Sequence, residues 1–595
     1  MSFLDDIQFI RRRQVALAVG GAMFLVFFVR LIQLQILYAE EMVKQSEVNS
    51  IRTIPREPVR GYLFDRFGRL AVDNRPAFTV TIMPFEFQKE RIPDLARLLQ
   101  LDPEFIRERL QKGEAHSKFV PVKIKRDIDF GTLSLLEENH DRLPGVAVQS
   151  ESKRAYITPA RASHILGYLK EVTEQQLRVL GPDYVPGDVV GSAGLEARYE
   201  SQLRGKKGEE FSLVNVRGQI VGSLDAGKND IPPVDGQDLV LTMDFELQAL
   251  AESLMTGRRG AVVAIDPRSG GILALVSAPD FQPGILSGVT TSDLWRSMNE
   301  DEGVPLFNRA TLTRYPPGST FKMILAIAAL ENNVVSPNWH VSCNGAFRFG
   351  NKVFKDLHVH GSTDMYRAIQ ASCNVYFYQL MLKVGLDPWT ATGRAFGFGQ
   401  ITGADIAEEN PGLLPSTAYM NRRYGERGWT KGYTVSMAIG QGELGVTPLQ
   451  MAGYAAALAN RGTYFRPHAV LGPLDRATGK VDTLLTDRRT ITLKPSTWNV
   501  VREGMRRAVM EPGGTGGMAR IPGIEVAGKT GTSENPHGPD HAWFVGFAPF
   551  DNPAIAIAVI VENAGYGGTF GAPIAGKCME RHLRNIGIIP AAAGN

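Results

Sequence analysis

The stretch Tyr315-Pro316-Pro317-Gly318-Ser319-Thr320-Phe321-Lys322 is followed by an apolar run from Met323 to Leu330. Two prolines and a glycine form a rigid turn that cannot lie inside a helix, and a helical pattern starts directly after it. We therefore predict that Ser319 lies at a helix N-terminus, where unpaired N–H groups and the helix dipole favour negative charge. Lys322 lies one turn further along, on the same helix face.

This spacing suits nucleophilic catalysis. A serine hydroxyl is a poor nucleophile until a neighbouring group takes its proton, and a lysine amine can do so if burial or a nearby cation keeps it neutral. Ser319 and Lys322 therefore predict acyl transfer. Taken alone, the pair has a simpler structural interpretation, in which Ser319 caps a helix and Lys322 is solvated.

Two further stretches favour the chemical interpretation. Ser372-Cys373-Asn374 lies inside a segment with a helical pattern, Met365 to Val384, and Lys529-Thr530-Gly531-Thr532 ends an apolar strand. Serine–lysine, Ser-x-Asn and Lys-Thr-Gly motifs occur in this order in penicillin-binding proteins and serine β-lactamases. The middle motif has Cys373 where the common form has aspartate.

The first two motifs would carry the covalent chemistry. Ser319 Oγ would attack a carbonyl and form an acyl-enzyme, while the N–H groups of Ser319 and Thr532 would form the oxyanion hole. Ser372 and Asn374 would relay a proton and hold the substrate amide.

The third motif would supply charge and substrate contacts. Lys529 places a second cation near Lys322 and so lowers the proton affinity of Lys322. Thr530 and Thr532 offer hydroxyls to a substrate carboxylate. Gly531 would let the substrate approach the strand closely.

Composition limits the class of protein. The chain has 595 residues, of which 44% are hydrophobic and 21% are charged, so it is long enough for several domains with large cores. The formal net charge is +3 and there is no long basic tract, so no nucleic-acid partner is expected. Three cysteines are too few for a disulfide framework; they are Cys343, Cys373 and Cys578.

The N-terminus predicts a membrane anchor. A polar segment, residues 1–14, ends in Arg11-Arg12-Arg13, and the apolar segment 15–37 follows it. The arginines predict a cytoplasmic N-terminus and an exported C-terminal bulk. A cleaved signal peptide is the alternative, although no A-x-A-like site follows the apolar run. Gln33 and Gln35 are costly in lipid unless paired, which suggests a partner in the membrane.

The best boundary in the remaining chain is the proline-containing stretch from Lys228 to Gly236. After it, strands occur early and late with helices between them. This order predicts an α+β domain, residues 236–595, whose antiparallel sheet brings its first and last strands together. Before it, short strands with glycine turns are mixed with candidate helices at 92–99 and 103–112. We interpret Arg60, Asp65 and Arg66 as a structural ion-pair network.

The chain resembles the class B penicillin-binding proteins over nearly its whole length, and most closely those of the elongation type. Besides the three active-site motifs, the resemblance is carried by the following stretches: Arg60-Gly61 to Asp65-Arg66 and Gly68, Arg154-Ala155-Tyr156, Pro159, His164 to Tyr168, Gly194-Leu195-Glu196 to Leu203-Arg204-Gly205, Gly440-Gln441-Gly442 and Thr447 to Gln450. The resemblance implies a mainly-β, elongated pedestal (dimerisation-type) domain, residues 38–235, with a small α/β head at about 85–150 and a C-terminal transpeptidase domain.

The resemblance also implies a function. It predicts a single-pass inner-membrane D,D-transpeptidase that faces the periplasm, acylates Ser319 with a stem peptide ending in D-Ala-D-Ala and transfers the acyl group to an amine on a neighbouring stem. β-Lactams would trap the acyl-enzyme. The implied partners are a SEDS-family membrane glycosyltransferase, an elongation scaffold protein that binds the pedestal, and lipid-linked and polymeric peptidoglycan precursor strands.

Two alternatives and a metal site remain open. A β-lactam-hydrolysing enzyme or D,D-carboxypeptidase would use water as acyl acceptor, and a non-enzymatic β-lactam sensor would retain the fold and still acylate. The chemistry itself requires no cofactor. Some relatives are reported to hold zinc near the active site through Asp, His and Cys, which here implies Asp356, His360 and Cys373, with Cys343 as a fourth ligand. The alternative is a buried thiol beside a histidine-rich loop without metal.

Overall fold

The computed structural model describes residues 3–37, 51–214, 220–287, 290, 292–406 and 408–590. The predicted start of the pedestal at residue 38 lies outside these ranges, as do the first two and the last five residues of the chain. The N-terminal helix spans Phe3–Ile32 and continues as a π-helical turn over Gln33–Leu37. Its segment Arg12–Ile36 has a mean hydropathy of 2.4 and is 0% buried, as expected for a helix that spans a membrane.

One compact unit combines this helix with residues 51–59 and 205–235. Its sheet is antiparallel, and its strands are Ile51–Arg56, Gly208–Val214 and Ile220–Ser223. A short 3₁₀ segment, Leu224–Gly227, follows the last strand.

The second compact unit contains residues 60–204 and 236–595. Its N-terminal part is built on a six-stranded sheet, in which the long strand Leu70–Ile82 pairs with Val146–Tyr156 over eleven register pairs from Val72↔Tyr156 to Ile82↔Val146. The other strands of this sheet are Leu63–Phe64, Val122–Ile128, Asp238–Leu241 and Val470–Leu474.

Helices cover one end of the long strand pair. The helices are Ile92–Leu99, Pro103–His116 and Phe130–Glu138, with 3₁₀ turns at Lys89–Arg91 and His140–Arg142. Leu95, Ile106 and Leu136 from these helices pack with Val80 and Ile82 of the long strand in a separate small core. The helix predicted at 92–99 is confirmed with the same bounds, and the one predicted at 103–112 is longer by four residues.

The residues between this head and the catalytic part form short elements. They are strands Leu169–Glu171 and Val189–Gly191 and helices Ser163–Leu166, Glu174–Leu180, Gly194–Arg198 and Glu200–Leu203. A Cβ on Gly167 would lie 1.8 Å from the carbonyl oxygen of Ala193, so the two motifs that resemble pedestal elements meet where only glycine fits.

Buried charges link the same motifs. Glu196 is 0% exposed and accepts hydrogen bonds from Arg60 Nε (2.7 Å) and Arg154 Nε (2.7 Å). Asp65 instead closes its own turn, accepting from the Arg69 side chain at 2.6 Å. Arg66 pairs with Asp266 at 3.5 Å. The predicted structural ion pairs are therefore confirmed, but they form three separate clusters rather than one network.

The catalytic part is organised by a five-stranded antiparallel sheet. In spatial order its strands are Ile272–Ala278, Gly260–Ile265, Ile555–Val561, His541–Ala548 and Ala527–Ser533. The early strand Gly260–Ile265 pairs with the late strand Ile555–Val561, from Gly260↔Val561 to Ile265↔Ala556, which confirms the predicted closure.

Side chains along the strand Ile555–Val561 point alternately to the two faces of this sheet, and each face packs against a different helical layer. Ile557 and Val559 belong to the core that includes the C-terminal helix Gly571–Asn585, whereas Ala556 and Ala558 pack with the alanine-rich helix Pro448–Ala459. Successive side chains of a strand point to opposite faces, so this strand is buried on both sides.

Further elements complete the catalytic part. The helices are Phe245–Leu254, Pro283–Leu286, Ser292–Glu300, Lys322–Glu331, Met365–Gln370, Asn374–Val384, Leu386–Ala395, Thr417–Tyr424, Lys431–Met437 and Pro495–Met510, with a 3₁₀ turn at Gly517–Ala519. Three small two-stranded antiparallel sheets pair Val341–Cys343 with Gly361–Thr363, Ala346–Phe349 with Lys352–Lys355, and Thr463–Phe465 with Arg488–Thr490. Of these, Ala346–Phe349 and Lys352–Lys355 form a hairpin.

Candidate active site

The Ser319 turn lies at the centre of the catalytic part. Gly318–Phe321 forms a 3₁₀ turn that leads directly into the helix Lys322–Glu331, and Gly318 has a φ of 59°. Eight consecutive residues, Met323 to Leu330, are buried, so this helix has no solvent-facing side and is fixed by packing all around. Ser319 is thus at a helix start, as the sequence predicts, with the regular helix beginning three residues later.

The strand Ala527–Ser533, here called the Lys529 strand, lies directly against this turn. A Cβ on Gly531 would lie 2.9 Å from the carbonyl oxygen of Pro317 and 3.0 Å from Trp543 Cβ. Glycine is therefore needed at position 531 so that the strand can contact the turn. The sequence analysis had instead predicted that Gly531 lets the substrate approach the strand closely. Ser533 Oγ donates to the carbonyl oxygen of Pro316 at 2.5 Å and Trp543 Nε1 donates to the same oxygen at 3.0 Å.

The segment Gly440-Gln441-Gly442 supports the turn from another side. Gly318 N donates to the carbonyl oxygen of Gly440 at 3.0 Å, and a Cβ on Gly440 would lie 2.1 Å from Gly318 O. Gln441 Nε2 donates to Thr532 O at 3.3 Å. The Ser319 turn is thus held by hydrogen bonds and close backbone contacts on both sides, which fixes the position of Ser319.

Lys322 is fully buried and faces the middle motif. Its Nζ donates to Ser372 O at 2.7 Å, to Asn374 Oδ1 at 2.7 Å and to Ser372 Oγ at 3.2 Å. Burial lowers the pKa of Lys322 to about 8, against smaller opposing effects of Asp356 and Cys373. The lysine is therefore a base that is partly neutral near pH 7.

The middle motif interrupts a helix. The sequence predicted one helical segment over 365–384, and this is wrong: the structure has two helices, Met365–Gln370 and Asn374–Val384. Ser372 lies between them with a φ of 59°. This left-handed conformation places both the carbonyl oxygen and the hydroxyl of Ser372 within reach of Lys322, which a continuous helix could not do because its carbonyls bond within the helix.

Lys529 is buried beside the same cleft. Its Nζ donates to Thr530 O at 3.0 Å, and burial, together with the charge of Lys322, lowers its pKa well below the usual value. The sequence predicted that Lys529 lowers the proton affinity of Lys322. In the structure desolvation is the main cause of the lowered pKa of both lysines, and the charge of Lys322 lowers the pKa of Lys529 further.

Two polar contacts in the cleft were missed by motif reasoning. Thr515 Oγ1 lies 2.6 Å from Thr530 Oγ1, so the hydroxyl of the third motif already has a hydrogen-bond partner. The other is the Gln441 contact with Thr532. The sequence feature that could have predicted the Thr515 contact is the glycine-rich run Gly513-Gly514-Thr515-Gly516-Gly517, which precedes the Lys529 strand. Such a run is typical of a loop that approaches a neighbouring backbone closely.

The four residues considered for metal binding converge beside Asn374. Donor atoms of Cys343, Asp356, His360 and Cys373 all lie within 4.8 Å of one another. Cys373 Sγ is 3.3 Å and Cys343 Sγ 3.5 Å from Asp356 Oδ2, and His360 Nδ1 is 3.6 Å from that oxygen. The same Asp356 oxygen accepts a hydrogen bond from Val375 N at 3.0 Å, so the cluster holds the first turn of the Asn374 helix.

Known protein families match both parts of the chain. Residues 260–580 match the family described as "Penicillin binding protein transpeptidase domain", and residues 55–241 match "Penicillin-binding Protein dimerisation domain". A relative from Acinetobacter baumannii, named peptidoglycan D,D-transpeptidase MrdA, is 34% identical over 95% of this chain and 87% of its own length. This chain is a class B penicillin-binding protein 2 family member.

Two solved structures, one of which contains a penicillin-binding protein 2, agree with the fold. The Helicobacter pylori protein in complex with MreC has a TM-score of 0.79 at 26% identity, covering 91% of this chain and all (100%) of that chain. A structure described as coordinating polymerization and crosslinking in a peptidoglycan synthase complex has a TM-score of 0.71 at 30% identity, covering 98% of this chain and 100% of that one. The α+β two-domain architecture is therefore that of the family.

Proposed function

We propose that this chain is the peptidoglycan D,D-transpeptidase of cell elongation, acting through a Ser319 acyl-enzyme. The observation that carries the proposal is the contact of Lys322 Nζ with Ser372 and Asn374 in a buried cleft, one helix turn from Ser319. Motifs far apart in sequence meet there, and the family match extends over nearly the whole chain.

In the first half-reaction, Ser319 Oγ attacks the carbonyl carbon of the penultimate D-Ala while neutral Lys322 takes the hydroxyl proton. A neutral amine has two N–H donors, which match the two acceptors at 2.7 Å, Ser372 O and Asn374 Oδ1, and leaves its lone pair for the proton. The N–H of Ser319, in the first turn of a helix, and that of Thr532, on an edge strand, would stabilise the oxyanion.

The amide bond then breaks and the terminal D-Ala leaves as an amine. The proton for that nitrogen comes from Lys322, by way of the Ser372 hydroxyl 3.2 Å away. In the second half-reaction an acceptor amine attacks the Ser319 ester, an amide forms, the ester C–O bond breaks, and the amine proton passes back through Lys322 to Ser319 Oγ. The hydroxyls of Thr530 and Thr532 would bind the terminal carboxylate of the donor.

Product analysis tests this function against the alternatives. Purified protein is incubated with a D-Ala-D-Ala stem peptide and an excess of an amine acceptor, and the products are separated by mass. A transpeptidase gives the acceptor amide plus free D-Ala. Hydrolysed stem peptide alone would indicate a carboxypeptidase, and acylation without any turnover in the presence of the membrane partners would indicate a sensor.

We infer that the chain is a single-pass inner-membrane protein with its N-terminus in the cytoplasm. The exposed apolar segment Arg12–Ile36 and the arginine cluster before it support this topology. Within the segment, Arg30 Nη1 donates to Gln33 Oε1 at 3.3 Å, which partly satisfies both groups in lipid. A protease added outside spheroplasts should cleave the catalytic part and leave an N-terminal tag intact.

The proposed partners are a SEDS-family membrane glycosyltransferase and an elongation scaffold protein. Two similar structures support this choice, because one contains MreC and the other is a peptidoglycan synthase complex. Gln35 lies near the outer end of the membrane helix and would contact the polymerase. Co-purification of the polymerase should fall with Gln33→Leu/Gln35→Leu, and unchanged recovery would contradict the contact.

We also propose a structural zinc ion held by Cys343, Asp356, His360 and Cys373. The separations of the other three donors from Asp356 Oδ2, 3.3 to 3.6 Å, match the edge of a zinc tetrahedron, about 3.3–3.8 Å for these ligand types. Burial and the Asp356 carboxylate raise the pKa of Cys373, so a bound cation is what would deprotonate this thiol. Such an ion would hold the Asn374 helix in place.

Metal analysis tests the zinc site. Cys343→Ala should lose stoichiometric zinc and lower the melting temperature, while Cys578→Ala, which removes a buried thiol elsewhere, should keep the zinc. Purified wild-type protein without zinc, and with an unchanged melting temperature after chelation, would contradict the site.

A further inference from the structure

The surface beside the Asn374 helix carries an unusual excess of positive charge. Segments 346–355 and 417–433 together contain seven lysines and arginines and one acidic residue, Glu426, in a chain whose net charge is only +3. All seven are exposed. Arg423 pairs with Glu443 at 3.5 Å. Within the described ranges the other six have no ion pair; they are Arg348, Lys352, Lys355, Arg422, Arg427 and Lys431.

The hairpin Ala346–Phe349/Lys352–Lys355 divides its residues between two faces. Arg348 pairs with Val353 and Ala346 with Lys355, so these four side chains share the outer face, where Val353 is 43% exposed. The other face is anchored, because the ring of Phe354 lies 5.3 Å from that of Tyr378. The two outer cations are thus presented by a fixed scaffold.

This hairpin is joined directly to the catalytic cleft. Lys355 O accepts hydrogen bonds from Asn374 Nδ2 at 3.4 Å and from Tyr378 OH at 3.3 Å. On its other side, Phe349 lies 4.0 Å from the position a Cβ on Gly432 would take, so the hairpin reaches the helix Lys431–Met437. That helix leads into the segment that supports the Ser319 turn.

We propose that a basic patch around this hairpin is the docking surface for the acceptor strand. The patch comprises Arg348 and Lys355 on the outer face, Lys352 beside the hairpin turn on the face that carries Phe349, and Lys431 at the start of the helix that Phe349 approaches. This inference rests on the proposed transpeptidase function. Every uncross-linked stem peptide ends in a carboxylate, so a strand carrying many stems is a polyanion. The donor stem occupies the cleft at Ser319, and the patch offers unpaired cations at the Asn374 edge, where a second strand can approach.

The physical basis is charge complementarity that depends on several weak contacts. Single exposed ion pairs contribute about 0–1 kcal/mol each, but four cations on and beside one fixed hairpin act together on a multivalent anion. Tyr433, 44% exposed on the helix Lys431–Met437, and Val353 add apolar contact area for the peptide. Binding should therefore weaken with added salt.

The test is equilibrium binding to full-length protein whose Ser319 has been acylated with penicillin, which blocks the donor cleft. The probe is fluorescently labelled, uncross-linked peptidoglycan strands, followed by anisotropy at low and at physiological salt. The patch variant is Arg348→Gln/Lys352→Gln/Lys431→Gln. The matched control removes three exposed cations elsewhere, Lys480→Gln/Arg488→Gln/Lys577→Gln.

We expect the patch variant to bind strands about tenfold more weakly than wild type and the control to bind as wild type does. Strands whose carboxylates have been amidated should bind wild type as weakly as intact strands bind the patch variant. Equal binding by patch and control variants would overturn the proposal, as would full binding of amidated strands. Patch-dependent binding to phosphatidylglycerol vesicles without binding to strands would assign the patch to a lipid surface instead.

The same samples also test the proposed transpeptidase function independently of the docking surface. Penicillin acylation of Ser319 reports the donor half-reaction and does not require an acceptor strand. Absence of acylation in wild type would count against the transpeptidase, whereas normal acylation with patch-independent strand binding would overturn the docking surface alone.

Discussion

The surroundings of Lys322 favour its proposed role as a base. It has no exposed surface, and its contacts are two carbonyl-type oxygens and one hydroxyl. Desolvation disfavours its charged form, and among the residues that the structure describes no carboxylate contacts its amine directly. In the sequence Lys322 is visible only as the fourth residue of the motif that starts at Ser319. Its buried environment gives it a proton affinity suited to acyl transfer near neutral pH.

This environment predicts the pH dependence of acylation. With a pKa of about 8, Lys322 is mostly protonated below that pH, so the acylation rate should fall about tenfold per pH unit below it and level off above it. Rates are measured with a fluorescent penicillin between pH 6 and 10. Lys322→Arg, which stays charged throughout, should lose acylation at every pH. A rate for wild type that does not change from pH 6 to 9 would contradict the assignment of Lys322 as base.

Gly531 gives a second prediction at the residue scale. Gly531→Ala places a methyl group 2.9 Å from the carbonyl oxygen of Pro317, so the Lys529 strand must move away from the Ser319 turn. We expect a loss of about 1–3 kcal/mol in the free energy of unfolding and slower acylation. Gly538→Ala is the control, because its Cβ would have no contact below 3.6 Å. Equal effects of the two substitutions would show that the strand–turn contact does not matter.

At the scale of elements, buried charge joins strands and helices of the pedestal. Glu196 contacts both Arg60 and Arg154, which come from separate parts of the chain. Glu196→Gln would leave two buried guanidinium groups without their shared anion, and we expect a loss of about 3–5 kcal/mol in the free energy of unfolding, measured by urea titration. Glu426→Gln, on an exposed turn, serves as the control. A loss below about 1 kcal/mol for Glu196→Gln would contradict the account.

Helix and strand positions followed well from local patterns, and the exceptions have a physical cause. Periodicity located the helix Ile92–Leu99 with its observed bounds and the first residue of the helix Pro103–His116. The pattern over 365–384 did not show that the helix ends before Ser372, because the apolar spacing continues across this residue. In the structure, Ser372 has a left-handed backbone conformation that brings it into contact with Lys322. Tertiary contacts decided that conformation, and no local signal in the sequence reports them.

At the scale of the whole molecule, the order of elements along the chain predicted which strands would pair. Strands early and late in the catalytic part close one sheet, and the third motif lies on its edge strand beside the Ser319 turn. The cleft's supporting contacts could not be predicted this way. Thr515 and Gln441 reach the third motif from loops whose course depends on packing, and Gly531 serves that packing. Motifs identified the reactive groups, whereas the structure was needed to identify what holds them.

The acyl-enzyme at Ser319 is the central claim, and covalent labelling tests it most directly. Full-length wild type and Ser319→Ala are incubated with a fluorescent penicillin, and the labelled band is followed for hours in a denaturing gel. We predict a stable label on wild type, its complete absence from the variant, and equal melting temperatures for the two proteins. Persistent label on Ser319→Ala would contradict the assigned nucleophile, and loss of the wild-type label within minutes would identify a hydrolase instead.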